Sequence, residues 1–213
     1  MQKRAEETRE LIVQTAAEIF AKQGYSETAL RDITSGIGMT LGAFYFHFDS
    51  KLVLAAEIVR RQHETSIGAI QSITSTDASG MVSIVRLSRE LAEQTRDDAV
   101  VRAGIRLSTE SVAELAAVVS APYREWVAAC RILLERASAQ GETRPGLDLD
   151  AAADLIISAF SGTQFLSAAL GRSERILHTL AGMWPILLGG MLADADHPVL
   201  KQIPDLLDVS ARA

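Results

Sequence analysis

The amino-acid sequence predicts an all-α protein: an N-terminal three-helix headpiece containing a helix-turn-helix, then a larger helical bundle. Three observations carry this reading. No stretch shows convincing strand alternation, whereas apolar residues recur at spacings of three and four from end to end. Leu30, Ile33 and Ile37 form a short helical stripe that Gly36 and Gly38 interrupt before a second short segment at Thr40, which is two helices joined by a Gly-containing turn. Far downstream, two long segments are apolar almost all round and have to be covered on every side.

The elements follow in order. A first helix over about 4–23 carries Ile12, Ala16, Ile19 and Phe20 on one stripe, and Gly24 stops it as a C-terminal glycine. Thr28 opens a second helix to about 35. Thr40, whose hydroxyl can cap the free N–H groups of a first turn, opens a third over about 40–46. Ser50 or Asp49 caps a fourth, which Leu54 and Ile58 continue to about 70. The Ser-Thr-Asp-Ala-Ser-Gly stretch at 75–80 is a loop. Helices of about 81–97, 99–110 and 122–140 come next, the last with Pro122 in its first turn. Residues 141–146 form a loop, Asp148 or Asp150 caps a helix to about 170, and Ser173 caps another to about 192. The tail, with Pro198 and Pro204, has room for one short helix. No repeat or low-complexity segment occurs.

Composition narrows the function classes. The chain has 213 residues, 48% of them hydrophobic and 23% charged, enough for a substantial core without metal or disulfide help. A single cysteine, Cys130, excludes an internal disulfide framework and points to a reducing cytoplasm. In its apolar run it reads as a small buried hydrophobe. No signal peptide is visible. The longest apolar run, Leu180 to Ala193, falls short of the ~20 residues of a membrane span and holds Pro185, Gly189 and Gly190. Net charge is −6, and residues 1–51 carry six Lys/Arg against seven Asp/Glu. Any nucleic-acid contact therefore rests on a few well-placed donors, with weak non-specific binding.

Catalysis finds no support. Gly36, Gly38 and Gly42 form a GxGxxxG, but a dinucleotide turn needs a buried strand before it, and Thr28 to Ser35 have helical spacing. His47, His63, His178 and His197 are scattered without ligand spacing, and no Gly-x-Ser-x-Gly elbow exists. The sequence implies no cofactor and no metal.

The most telling stretch is Thr40 to Lys51, which packs Phe44, Tyr45, Phe46, His47 and Phe48 together in a chain only 5% aromatic. Tyr45, His47 and Lys51 offer a phenol, an imidazole and an ammonium, all good donors to phosphate. Together with Gly24-Tyr-Ser-Glu-Thr28, Asp32-Ile33 and Gly38-Met-Thr40, the run Gly42 to Lys51 resembles the N-terminal DNA-binding domain of the TetR family of repressors. Tyr-Phe-His-Phe leans toward the γ-butyrolactone autoregulator receptors. The resemblance covers about residues 5 to 58.

That resemblance implies a homodimeric transcriptional repressor with a DNA-binding domain at 1–51 and a ligand-binding and dimerisation domain at 52–213. It implies phosphate contacts from Tyr45, His47 and Lys51, with Thr28, Thr40, Ala43 and Phe44 facing the DNA backbone or major groove, while Phe46 and Phe48 read simply as core aromatics of the headpiece. A dimer would place two recognition helices about 34–36 Å apart on a pseudo-palindromic duplex. Dimerisation falls to the two apolar C-terminal helices. Looser similarity at 100–108, 122–126 and 159–164 implies a small apolar, lactone-like effector held by Gln62, Trp126 and Ser161. An alkyl lactone wants an apolar slot with one or two donors. One departure stands out: the receptors usually carry Lys where this chain has Leu41, which can touch a thymine methyl but cannot bond guanine or phosphate. Two other readings stay open, a TetR-type regulator of efflux or catabolism with an unrelated apolar effector, and a small-molecule binding protein whose headpiece no longer binds DNA.

Overall fold

A computed structural model of the chain describes residues 2–110 and 113–209. Met1 and residues 210–213, at the outer ends of the two expected domains, lie outside the described residues. Among those described there are ten α-helices and no strand, only an isolated bridge between Thr143 and Leu192. The helices are α1 Gln2–Glu27, α2 Leu30–Gly36, α3 Leu41–Tyr45, α4 Lys51–Thr74, α5 Gly80–Asp97, α6 Ala99–Thr109, α7 Ala116–Ala139, α8 Leu149–Ala169, α9 Ile176–Gly189 and α10 Pro198–Leu206. Short 3₁₀ turns at Ala113–Leu115 and Ser173–Arg175 precede α7 and α9.

Packing divides the chain into two compact units, Met1–Ile67 with Asp97–Pro122, and Gly68–Arg96 with Tyr123–Ala213. These do not follow the expected boundary at 51/52, because α4 and α6 share one core with the headpiece. In that first core, Ile12, Ala16 and Phe20 of α1 meet Ile33, Phe44 and Phe48, then Leu54 and Ile58 of α4 and Val100 and Leu107 of α6. Burial of such side chains, each stabilising by ~1.5–3 kcal/mol, drives the assembly.

Polar groups set the joints. Gly24 interrupts α1 with φ +81°, so the chain turns there without the penalty a side chain would impose. Gly38, at φ +64°, makes the turn between α2 and α3. Thr40 Oγ accepts from Ala43 N at 3.2 Å and Ser50 Oγ from Val53 N at 3.1 Å, the expected caps of α3 and α4. Glu57 on α4 accepts from Arg9 of α1 at 3.0 Å, from Arg60 at 2.8 Å and from Arg61 at 3.0 Å. Arg61 reaches on to Glu10. Chiefly through the Arg60 bonds, the Glu57 carboxyl is held down to about 2.

The second unit is organised around Trp184, which has no exposed surface and whose Nε1 donates to Ser88 Oγ at 2.8 Å. Asp148 caps α8 by accepting from the amides of Asp150 and Ala151. Cys130 is buried, and desolvation pushes its thiol up to about 12, the inert state expected of it.

Three local expectations are corrected. Thr28 does not open α2: its hydroxyl donates backward to Gly24 O at 2.6 Å, and Ala29 takes the cap position with its N–H bonded to Asp32 Oδ2 at 2.9 Å. Pro122 lies inside α7 instead of its first turn, since the helix starts at Ala116 and accepts the missing N–H. Ser173 caps nothing; it begins a 3₁₀ turn, and the helix after it ends at Gly189.

Candidate functional site

The helix-turn-helix presents one short exposed helix. Thr40, Leu41, Ala43 and Tyr45 are exposed along α3, and His47 is half-buried just beyond it. Phe44 is wholly buried, stacked on Phe48 at 6.0 Å between ring centroids and meeting Tyr45 edge-on. Thr28 is 1% exposed. Both were expected to face DNA, and both are in the interior, where their side chains hold α3 and the end of α1 instead.

Phe46 reverses the opposite expectation. It is 81% exposed, not a core aromatic. The reason was available in the spacing. Phe44 and Phe48 are four apart and share the inward face, so Phe46, two residues on, points roughly 200° away from it. Phe46 meets His47 edge-on at 5.3 Å, and with Leu41 and Tyr45 it makes an apolar, aromatic tip unusual on a free surface.

Lys51 is not a free cation. Its Nζ donates to Tyr25 O at 2.8 Å and Thr28 O at 2.7 Å and lies 4.1 Å from the Tyr25 ring centroid. It pins the start of α4 to the corner leading into α2. One ammonium N–H is left for a phosphate.

The three expected ligand residues share a property that periodicity cannot reveal. Each has a buried polar atom with no hydrogen-bond partner: Gln62 Oε1, Trp126 Nε1 and Ser161 Oγ. Such atoms are rare in folded proteins, because each forfeits its hydration without replacement. In the first unit Gln62 is 1% exposed, and its Nε2 donates to Ser66 Oγ at 3.1 Å, leaving only the carbonyl oxygen unsatisfied. In the second unit Trp126 is 8% exposed and packs edge-on against Tyr123 at 4.9 Å.

The second unit also holds an apolar cavity of about 30 Å³ lined by Cys130 and Leu133 of α7, Ile157 and Phe160 of α8, and Trp184. Trp126 lies one turn before Cys130, and Ser161 one turn after Ile157, on the same helix faces. Neither side chain is part of the lining itself. Tyr123 was not anticipated; its place one turn before the tryptophan on the same helix was the available signal. No group of three or more His, Cys, Asp or Glu fit to hold a metal occurs among the described residues, and no described helix is long and apolar enough to cross a membrane.

This fold and this exposed face define a helix-turn-helix protein, the class that lays a short second helix in a major groove. Residues 12–58 match the family of bacterial regulatory proteins, tetR family, and residues 78–193 match the tetracyclin repressor-like C-terminal domain. The chain is 32% identical over 187 residues to the A-factor receptor protein of Streptomyces griseus, a match covering 88% of this chain and 64% of that protein. Among solved structures it is similar to a gamma-butyrolactone receptor (ArpA-like protein), with a TM-score of 0.79, 28% identity and 96% and 98% of the two chains covered. It is also similar to CprB of Streptomyces coelicolor in complex with its operator sequence, with a TM-score of 0.77, 32% identity and 98% and 97% covered. The chain belongs to the TetR family of regulators.

Proposed function

We propose that the protein is a homodimeric transcriptional repressor released from a pseudo-palindromic DNA operator by a γ-butyrolactone or a similar small apolar lactone. The observation that carries the effector reading is the contrast between the two tryptophans. Trp184, which lines the apolar cavity, is satisfied by Ser88, whereas Trp126, one helical turn before the lining residue Cys130, keeps a buried, unbonded N–H. A lactone carbonyl accepts such a bond, and its alkyl tail suits the aliphatic lining. Within the second unit Ser161 adds a hydroxyl for the ligand's polar groups, and within the first unit Gln62 keeps a carbonyl oxygen open to a ligand donor.

At about 30 Å³ the cavity admits a water or two, while small-molecule sites run to ~300–1,000 Å³. Ligand entry therefore widens the second unit toward Trp126 and Ser161. A state that the ligand binds and the operator does not is what linkage requires for release.

On the DNA side, Thr40, Ala43, Tyr45 and His47 face the duplex, and Phe46 and Leu41 meet base methyls or sugars. Lys51 acts on phosphate through its one remaining N–H. The A-factor receptor relative and the operator-bound neighbour support this reading. A gel shift against the chain's own upstream region, with and without a series of γ-butyrolactones, tests it. Retarded DNA that lactones free is the expected result. Retardation insensitive to every lactone would favour an efflux or catabolic regulator, and no retardation would leave a ligand-binding protein.

A further inference from the structure

The corner between α1 and α2 is gripped from two directions within the first unit. From one side, Glu110 at the end of α6 accepts from Tyr25 N through Oε2 at 2.8 Å, and Arg106 one turn earlier steadies the carboxylate at 3.4 Å. From the other, Lys51 at the start of α4 donates to the carbonyl of the same Tyr25. The approach of Glu110 leaves no room for a side chain before Tyr25 unless the carboxylate moves away. A Cβ on Gly24 would stand 1.8 Å from Glu110 Oε1, at a backbone φ of +81° that side chains rarely adopt.

The other end of this connection is equally tight. Midway along α6, a Cβ on Gly104 would lie 2.5 Å from Gln62 Cβ, so α6 packs directly on the residue whose carbonyl oxygen is unsatisfied. One rigid helix of 11 residues therefore touches Gln62 at its middle and holds the entry to the helix-turn-helix at its end. Gly24, at φ +81° and ψ −176°, departs from helical geometry immediately before that amide.

We infer that Glu110 is the positioning residue through which α6 sets the helix-turn-helix, and through which a ligand at Gln62 alters operator affinity. The signalling half of this rests on the effector reading above; the positioning half does not. A carboxylate accepting from a backbone amide makes a charge-assisted bond that orients the peptide plane as well as anchoring it. Its removal releases the α6 side of the 24–28 corner and leaves that corner held from the α4 side alone, by Lys51.

The test uses the full-length chain as wild type, Glu110→Ala and Glu110→Gln, the last keeping an acceptor oxygen at the same reach. Amide hydrogen exchange is followed across residues 24–45, and operator affinity is measured on the chain's own upstream DNA. Glu110→Ala is expected to exchange at least tenfold faster through α2 and α3, with α4 unchanged, and to bind operator at least fivefold more weakly. Glu110→Gln should restore both. Unchanged exchange, or unchanged operator affinity, in Glu110→Ala overturns the inference, as does a Glu110→Gln that behaves like Glu110→Ala. For any lactone that weakens wild-type binding, the weakening factor should fall by at least half in Glu110→Ala, and an equal factor overturns the signalling role. If no lactone acts on wild type, the effector reading fails while exchange and operator affinity still decide Glu110. A wild type that binds no operator would sink the repressor reading, and exchange with its rescue by Glu110→Gln would then decide alone.

Discussion

At the scale of single residues, the two tryptophans separate structure from function by one hydrogen bond each. Trp126→Phe removes an N–H that bonds to nothing in the protein, so stability to urea should stay within about 0.5 kcal/mol of wild type while lactone affinity drops roughly tenfold. Trp184→Phe strips Ser88 of its donor and should cost ~1–3 kcal/mol of stability with little effect on the lactone. Denaturant melts and ligand titrations of both variants check this. Equal stability losses would mean the indole of Trp126 serves only packing. Phe46 is the mirror case, an apolar ring left in water. Phe46→Ala should leave stability within about 0.5 kcal/mol of wild type but weaken operator binding by about tenfold, the loss of one apolar contact of ~1–2 kcal/mol with base or sugar. Operator affinity that survives the substitution would place that ring outside the DNA interface.

At the scale of elements, α1 and α4 are tied by Glu57 and the arginines around it. The folded carboxyl sits at about 2 against an ordinary 4.5. Its depression means that the folded state favours the ionised form, so the contribution is fully present above pH 4.5 and is lost as pH falls toward 2. Stability measured between pH 6 and 3 should therefore decline, and Glu57→Gln should flatten that decline while lowering stability at neutral pH. A variant with the wild-type pH profile would show that other carboxylates govern the acid limb. The same scale shows why Thr28 and Lys51 differ from their expected roles. The C-terminal end of α1 leaves carbonyls without helical partners at the 24–28 corner, and these residues supply donors to the carbonyls of Gly24, Tyr25 and Thr28.

For the whole molecule, the question is what covers α8 and α9. Leu155, Phe165 and Leu166 on α8 are more than half exposed, and Ile186 on α9 is 80% exposed. Apolar side chains of this size, concentrated on two helices, fit the face of a second copy. The expected species at micromolar concentration is a dimer. Ile186→Glu, which places a charge on an already exposed position, should shift sedimentation to the monomer without unfolding the chain and should abolish operator binding. A wild-type monomer under those conditions, or an Ile186→Glu dimer, would rule this face out.

Most of the fold was legible in the sequence because helix limits are decided locally. The apolar period marks the buried face, Thr40 caps the helix it was expected to cap, and Ser50 and Asp148 are the members of the pairs Asp49/Ser50 and Asp148/Asp150 that do so, all through bonds spanning two or three residues. The exposed side of α3 was half legible: the four-residue step from Phe44 to Phe48 already required Phe46 to point outward. Only the tertiary structure decided which polar groups are spent and which are left over. Lys51 meets carbonyls 23 and 26 residues away, Glu110 meets an amide 85 residues away, and Trp184 meets a hydroxyl 96 residues away. Periodicity assigns a side chain to a face, but whether its hydrogen bond is already made depends on what another part of the chain brings there.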